Sequence, residues 1–212
     1  MKKATLLHLR IPFSFFLLPV YGFACSLSPS LAIFNVFLIF VILHFLLYPA
    51  SNGYNSYFDK DQDSIGGLEN PPPVSKELYF VALILDTLAI ILGLLISITF
   101  AVMLFIYGMV SKAYSHPVIR LKKYPITSWL IAGFFQGFFT FLMVWMALNP
   151  TENFSTVFRT DHVLIPAFLS SFLLWASYPL TQVYQHAEDA RRGDQTLSLW
   201  LGIRKTFYFS AI

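Results

Sequence analysis

Between Arg10 and Asp59 the chain carries no charged residue. No other feature constrains its fold as tightly. A bilayer's hydrocarbon core is about 30 Å thick and takes about 20 helical residues to cross. The uncharged stretch has room for two such crossings. Over all 212 residues only 12% are charged and 57% are hydrophobic, whereas a typical soluble domain is about 25% charged. That is too little charge to cover a soluble domain of this size. The expected fold class is therefore all-α, a multi-pass transmembrane helical bundle. The one cysteine, Cys25, excludes an intrachain disulfide. Met1-Lys2-Lys3 before an apolar run, with Ala24-Cys25 behind it, has the outline of a cleaved signal. Gly22 stands where a lipoprotein signal has leucine, and Ser26–Ser30 leads straight into the next apolar run. The segment is read as a retained span.

Apolar segments run over 5–24, 30–48, 79–111, 126–148 and 163–183. As one helix, 79–111 would be about 50 Å long at 1.5 Å per residue, so it is either strongly tilted or a hairpin. Cationic residues concentrate on the cytoplasmic side of membrane proteins. With the N-terminus inside and a hairpin of 79–95 and 98–111, all of the 14 lysines and arginines except Arg159 fall inside. Kept as one helix, every later loop flips and the cations divide almost evenly. The hairpin is preferred. It gives six spans in one membrane domain, 1–212, with turns near Ser26–Ser30, Ile96–Phe100 and Asn149–His162. The polar loops 49–78, 112–125 and 184–206 then share the cytoplasmic face, of a bacterial inner membrane by expectation.

The first of these loops reads Asn55-Ser-Tyr-Phe-Asp59-Lys-Asp-Gln-Asp63. On a helix, residues four apart share a face, so Asn55, Asp59 and Asp63 would form one oxygen-rich stripe. Such a stripe suits Mg²⁺, which takes oxygen ligands and is often shared with substrate phosphates. Asp59-x-Asp61-x-Asp63 also opens like an EF-hand loop, but that motif needs Gly at position 6 and Glu at position 12. Here Ser64 and Asn70 stand there, and the reading fails. A plainly solvated acidic loop is the remaining alternative.

The second loop, Tyr114-Ser115-His116-Pro117 through Arg120-Leu121-Lys122-Lys123, is basic. It can anchor topology, attract anionic lipid, or clamp phosphate oxygens. The third loop repeats the four-residue spacing in Gln185 and Asp189, with Glu188 and Asp194 nearby. Two acidic stripes around a basic loop match a diphosphate neutralised by Mg²⁺ and cationic side chains.

These three motifs, in this order, resemble the UbiA superfamily of intramembrane prenyltransferases. The first fits its Asn-x-x-x-Asp-x-x-x-Asp signature. Tyr114-Ser115, Pro117 and Arg120-Leu121-Lys122 are similar to its Tyr-Ser…Pro…Arg-Leu-Lys loop. Glu188-Asp189 through Gly193 to Gln195-Thr196-Leu197, then Leu201-Gly202, resembles its second aspartate region. The resemblance spans nearly the whole chain. It implies an all-helical fold whose cavity opens to lipid, and Mg²⁺-dependent transfer of a polyprenyl group from its diphosphate to a lipophilic aromatic or alcohol acceptor. It places Asn55, Asp59, Asp63, Gln185 and Asp189 around the metal, with Asp59, Asp63 and Asp189 as the catalytic acids. It places Tyr114, Arg120, Lys122 and Lys123 against the diphosphate. Membrane lipid, the prenyl diphosphate and the acceptor are the implied partners, and nucleic acid is not among them. The chain departs from the family at Gln182 and Gln185, where acids are usual, and at Gly66-Gly67, in a segment that usually holds Arg-Pro. The family generally has nine helices. This chain supplies six and, at Phe207–Ile212, what looks like the start of a seventh. A shortened, non-catalytic homologue or scaffold subunit is the alternative reading.

Polar residues also fall inside the expected spans. Asp86 is a functional candidate by its depth alone, as a channel or transporter would require, though the acids cluster on one side. Asn35, His44 and Gln136 are expected to hydrogen-bond between helices. Asn153-Phe154-Ser155 is a formal glycosylation triplet.

Overall fold

A computed structural model describes residues 1–29 and 31–211. Ser30, the last residue of the first expected turn, and Ile212 lie outside the described residues. Every element named among the described residues is a helix. The long helices are α1 (Lys3–Ser26), α2 (Ile33–Asp59), α3 (Lys76–Gly93), α4 (Ile98–Ser115), α5 (Pro125–Leu148) and α6 (Asp161–Arg192). Two short ones follow, α7 (Leu197–Leu201) and α8 (Ile203–Ser210). Five of them, α1, α2, α4, α5 and α6, are long and apolar enough to cross a membrane. The sixth, α3, has 18 residues and carries Lys76, Glu77 and Asp86.

Residues 79–111 fall into two helices, α3 and α4. The chain turns at 94–97, slightly earlier than Ile96–Phe100, because the Ser97 hydroxyl accepts the Phe100 N–H at 3.0 Å and starts α4 there. Phe100 is already fully buried in the core. At the motif end the helices run further than the apolar segments. α2 continues through Asp59 and α6 through Arg192, so the first and third polar loops begin as helix. Asn153 spends its side chain as a helix cap, accepting from the Thr156 N–H at 3.0 Å.

The packing is that of a bundle built for lipid. Phe37, Leu95, Phe172 and Leu173 are exposed, while Ile39, Leu43, Phe141 and Met143 are fully buried. α5 is the enclosed centre, with every residue from Thr140 to Leu148 buried. α2 and α5 each carry a π-helical stretch, at Ile42–Leu47 and Phe134–Phe139. Such a bulge frees backbone groups, and in lipid these need partners from the protein. Ser171 of α6 supplies both partners for α5. Its hydroxyl donates to the Gly133 carbonyl at 2.9 Å and accepts the Phe138 N–H at 2.8 Å. Gly137 allows this approach, since a Cβ there would meet the Ser171 backbone at 2.5 Å.

Among the described residues, Asn35, His44 and Gln136 make no interhelical side-chain hydrogen bond. His44 Nδ1 instead contacts Phe40 O of its own helix at 3.2 Å. Deeper in the bundle, tyrosine, tryptophan and serine make interhelical links instead. Tyr21 donates to Val36 O at 2.6 Å and Trp129 to Trp175 O at 2.7 Å. A short hydroxyl, or a ring whose one donor sits at its edge, reaches a neighbouring backbone while keeping the interface apolar.

Candidate active site

Helix ends deliver the polar groups. α2 carries Asn55 and Asp59 one turn apart. Asn55 Nδ2 donates to the Asp59 carboxylate at 2.8 Å and to Ser115 Oγ of α4 at 2.9 Å. The helix stops at Asp59 because Lys60 turns left-handed, with φ 51°. The expected stripe of three is therefore a stripe of two. Asp63 lies beyond the helix end, is exposed, and pairs with Arg191.

The turn after α4 supplies the cations. Arg120 adopts φ 44° and opens a short 3₁₀ turn, Leu121–Lys123. Its guanidinium grips Asp194 through two bonds of 2.7 and 2.8 Å and stands 3.5 Å from Asp59. Lys122 Nζ lies 2.5 Å from Asp59 and 3.5 Å from Asp194. Lys122 thus joins the two acidic regions. Lys123 is not brought to the acids, and its ammonium sits 4.9 Å from the centre of the Tyr124 ring. The Tyr114 hydroxyl meets that of Tyr178 on α6 at 2.8 Å.

The last turn of α6 supplies the second acidic region. Asp189 accepts from Arg192 at 3.0 Å and from the Thr196 hydroxyl at 3.3 Å. Glu188 accepts the backbone N–H groups of Gln62 and Asp63, both at 3.0 Å. It thereby ties the loop after α2 to α6. Gln185 ends a 3₁₀ stretch, Tyr178–Gln185, before α-helix resumes at His186. Gly193, at φ 73°, reverses the chain. The Asp194 N–H then bonds Asp189 O at 2.9 Å, which brings Asp194 back beside Arg120 and Lys122.

Burial pushes the Asp61 carboxyl above the ordinary carboxylate range and the nearby Asp59 charge adds to this, while Arg192 opposes both. Burial acts on Asp194 in the same direction, but Arg120, Lys122 and Arg192 outweigh it and hold that carboxyl low. The hydrogen bonds to Asp194 raise Arg120 in turn.

In the sequence, Arg10, Arg191 and Arg192 stood out only as cytoplasmic-side cations, and Asp61 only as part of a failed calcium loop. Arg192 pairs with Asp61, Glu188, Asp189 and Asp194. Arg10 breaks α1 in a left-handed turn. It is buried, donates to Asn52 O at 3.3 Å, and has Asp61 and Asp59 as electrostatic neighbours. Arg10 stands at the start of the long uncharged run, the position that set it apart in the sequence.

The donors present are oxygens, the kind Mg²⁺ takes. It is usually held by one or two carboxylates plus substrate phosphates rather than by a protein cage. Asp59 Oδ1 is buried without a hydrogen-bond partner, and Asn55 lies against the same carboxylate, so this pair fits. Among the described residues, no three His, Cys, Asp or Glu side chains form a ready metal cage.

Apolar helices of spanning length, with interleaved acids and cations gathered at one end, define an integral membrane protein with a polar site at the end of its bundle. The chain belongs to the UbiA prenyltransferase family, whose profile matches residues 14–212. The activity of that class is prenyl transfer within the membrane. No curated protein and no solved structure matches the chain.

Proposed function

We propose that the protein transfers a polyprenyl group from its diphosphate to a lipophilic acceptor, aromatic or alcohol, with Mg²⁺ at the Asn55–Asp59 pair. One observation carries this reading. Lys122 and Arg120 bridge the two acidic regions, so a diphosphate reaching Asp59 meets both cations at once. Bound there, Mg²⁺ would neutralise diphosphate oxygens and make the group a better leaving group. Lys122 and Arg120 exchange carboxylate partners for phosphate oxygens and stabilise the charge that grows as the prenyl C–O bond breaks. Asp189 orients Arg192, and Tyr114 and Tyr178 present a hydroxyl pair beside them. The bond's electron pair leaves with diphosphate. The allylic cation is captured by the acceptor, which loses a proton. Asp63, Gln185 and Lys123 stay with the site as outer groups able to approach once substrate rearranges the loop. The motif end faces the cytoplasm in this reading, as the cation distribution favours.

Asp59→Ala is expected to abolish transfer of an isotopically labelled prenyl chain in purified membranes, while Lys123→Ala keeps most of it. Undiminished transfer by Asp59→Ala would remove the metal role. Gln182 and Gln185, neutral where acids are usual in the family, favour a second reading as a non-catalytic membrane homologue. Wild-type membranes inactive with every prenyl diphosphate offered would support that alternative.

A further inference from the structure

A buried cation in α1 is left without an anion. Arg10 interrupts that helix at φ 46°. A residue other than glycine adopts this left-handed conformation at a cost, and such strain clusters at functional sites. Asn52 of α2 fixes the turn. Its carbonyl accepts from Arg10 Nη2 at 3.3 Å, and its Nδ2 donates to Leu9 O at 3.4 Å. Asn52 lies one helical turn before Asn55, so Arg10 stands beside α2 one turn deeper than the Asn55–Asp59 pair. Its electrostatic neighbours are Tyr184, Asp61 and Asp59, and the Phe13 ring lies 5.4 Å from the guanidinium. Arg10 is only 8% exposed. A guanidinium carries five N–H donors and cannot shed its charge. Among the described residues this one makes a single hydrogen bond and no ion pair, and its Nε is buried without a partner. The acids nearby are taken: Asp59 by Lys122 and Arg120, Asp61 by Arg192. Arg120, Lys122, Arg191 and Arg192 all have carboxylate partners. Arg10 has none, and a buried charge is costly unless it is paired and hydrogen-bonded.

We propose that Arg10 is a binding residue for a phosphate oxyanion, held ready by the α1 turn and unpaired until that anion arrives. Phosphate fits the vacancy because its oxygens accept a guanidinium fork in pairs, with charge assistance. Two sources carry the group. One is the substrate diphosphate, which reaches Asp59 with Lys122 and Arg120 on one side and would meet Arg10 from α1. The other is the headgroup phosphate of a lipid at the same end of the bundle. The depth of Arg10 beside α2 favours the first. In that form the inference rests on the diphosphate reading above; in the lipid form it does not. Either way Arg10 adds a cation held by α1 and α2, apart from the turn that carries Arg120 and Lys122.

The test uses the full-length protein in a maltoside detergent, which carries no phosphate. The first probe is inorganic pyrophosphate with Mg²⁺, read as affinity by titration calorimetry. The second is added phosphatidylglycerol, read as a rise in the thermal unfolding midpoint. Arg10→Gln should bind pyrophosphate at least tenfold more weakly than wild type. Arg10→Lys keeps the charge but not the fork, and should bind at least threefold more weakly; it carries the test if the glutamine variant does not fold. If the lipid headgroup is the source, pyrophosphate affinity stays at the wild-type value, and phosphatidylglycerol raises the midpoint of wild type but of neither variant. If both variants match wild type with both probes, the inference is overturned. Pyrophosphate binding lost in Lys122→Met would then still uphold the diphosphate reading. If wild type binds no pyrophosphate, that reading falls, while a lipid response lost with Arg10 keeps the inference.

Discussion

At the scale of single residues, carboxylates a few ångströms apart behave differently because their partners differ. Asp194 is buried yet held low by Arg120, Lys122 and Arg192. A carboxyl lowered on folding contributes stability above its unfolded value, about 4, and loses it as pH falls through the lower folded value. Asp194→Asn should therefore be less stable than wild type at pH 7, and its stability should fall less steeply below about pH 4. Thermal unfolding of the detergent-solubilised protein over a pH series measures both. Asp86 of α3 pairs with Lys112 of α4, and both are largely buried. Breaking a buried pair leaves one charge stranded, at about 3–5 kcal/mol. Lys112→Met should show that loss in denaturant unfolding. Asp86→Asn/Lys112→Met should recover most of it, since it leaves no unpaired charge. If the double variant were as unstable as the single one, the pair would owe its effect to packing.

At the scale of elements, the helices end where local chemistry ends them rather than where hydrophobicity does. Lys60 stops α2 and Ser97 starts α4. The π-helical stretch of α5 takes partners from a hydroxyl of α6 as well as from its own Thr140. Ser171→Ala leaves the Phe138 N–H and the Gly133 carbonyl without that partner. Leaving such buried groups unsatisfied costs about 1–3 kcal/mol. A lowered unfolding midpoint with prenyl transfer retained is the expected result, and an unchanged midpoint would show that α5 relaxes to regular α-helix. The spacing of Asn55, Asp59 and Asp63 was legible in the sequence, but the helix end at Asp59 was not. It depends on one left-handed residue and on a loop held to α6 by Glu188.

At the scale of the whole molecule, the charge distribution predicts an orientation that can be measured. With Cys25 replaced by serine, a cysteine placed at Glu152 should react with a membrane-impermeant maleimide in intact cells. One placed at Glu69 should react only after lysis. The reverse pattern would invert the bundle and put the acidic site outside.

The long uncharged runs settled by themselves that this chain is a helical membrane protein, because unpaired backbone and bare charge are costly in lipid. The order of three polar motifs was enough to suggest the family. Which acid meets which cation was decided only by tertiary structure. Arg192 and Asp61 are far apart in the chain and meet because the loop after α2 folds onto the end of α6. Spacing along one helix cannot report a contact made between two.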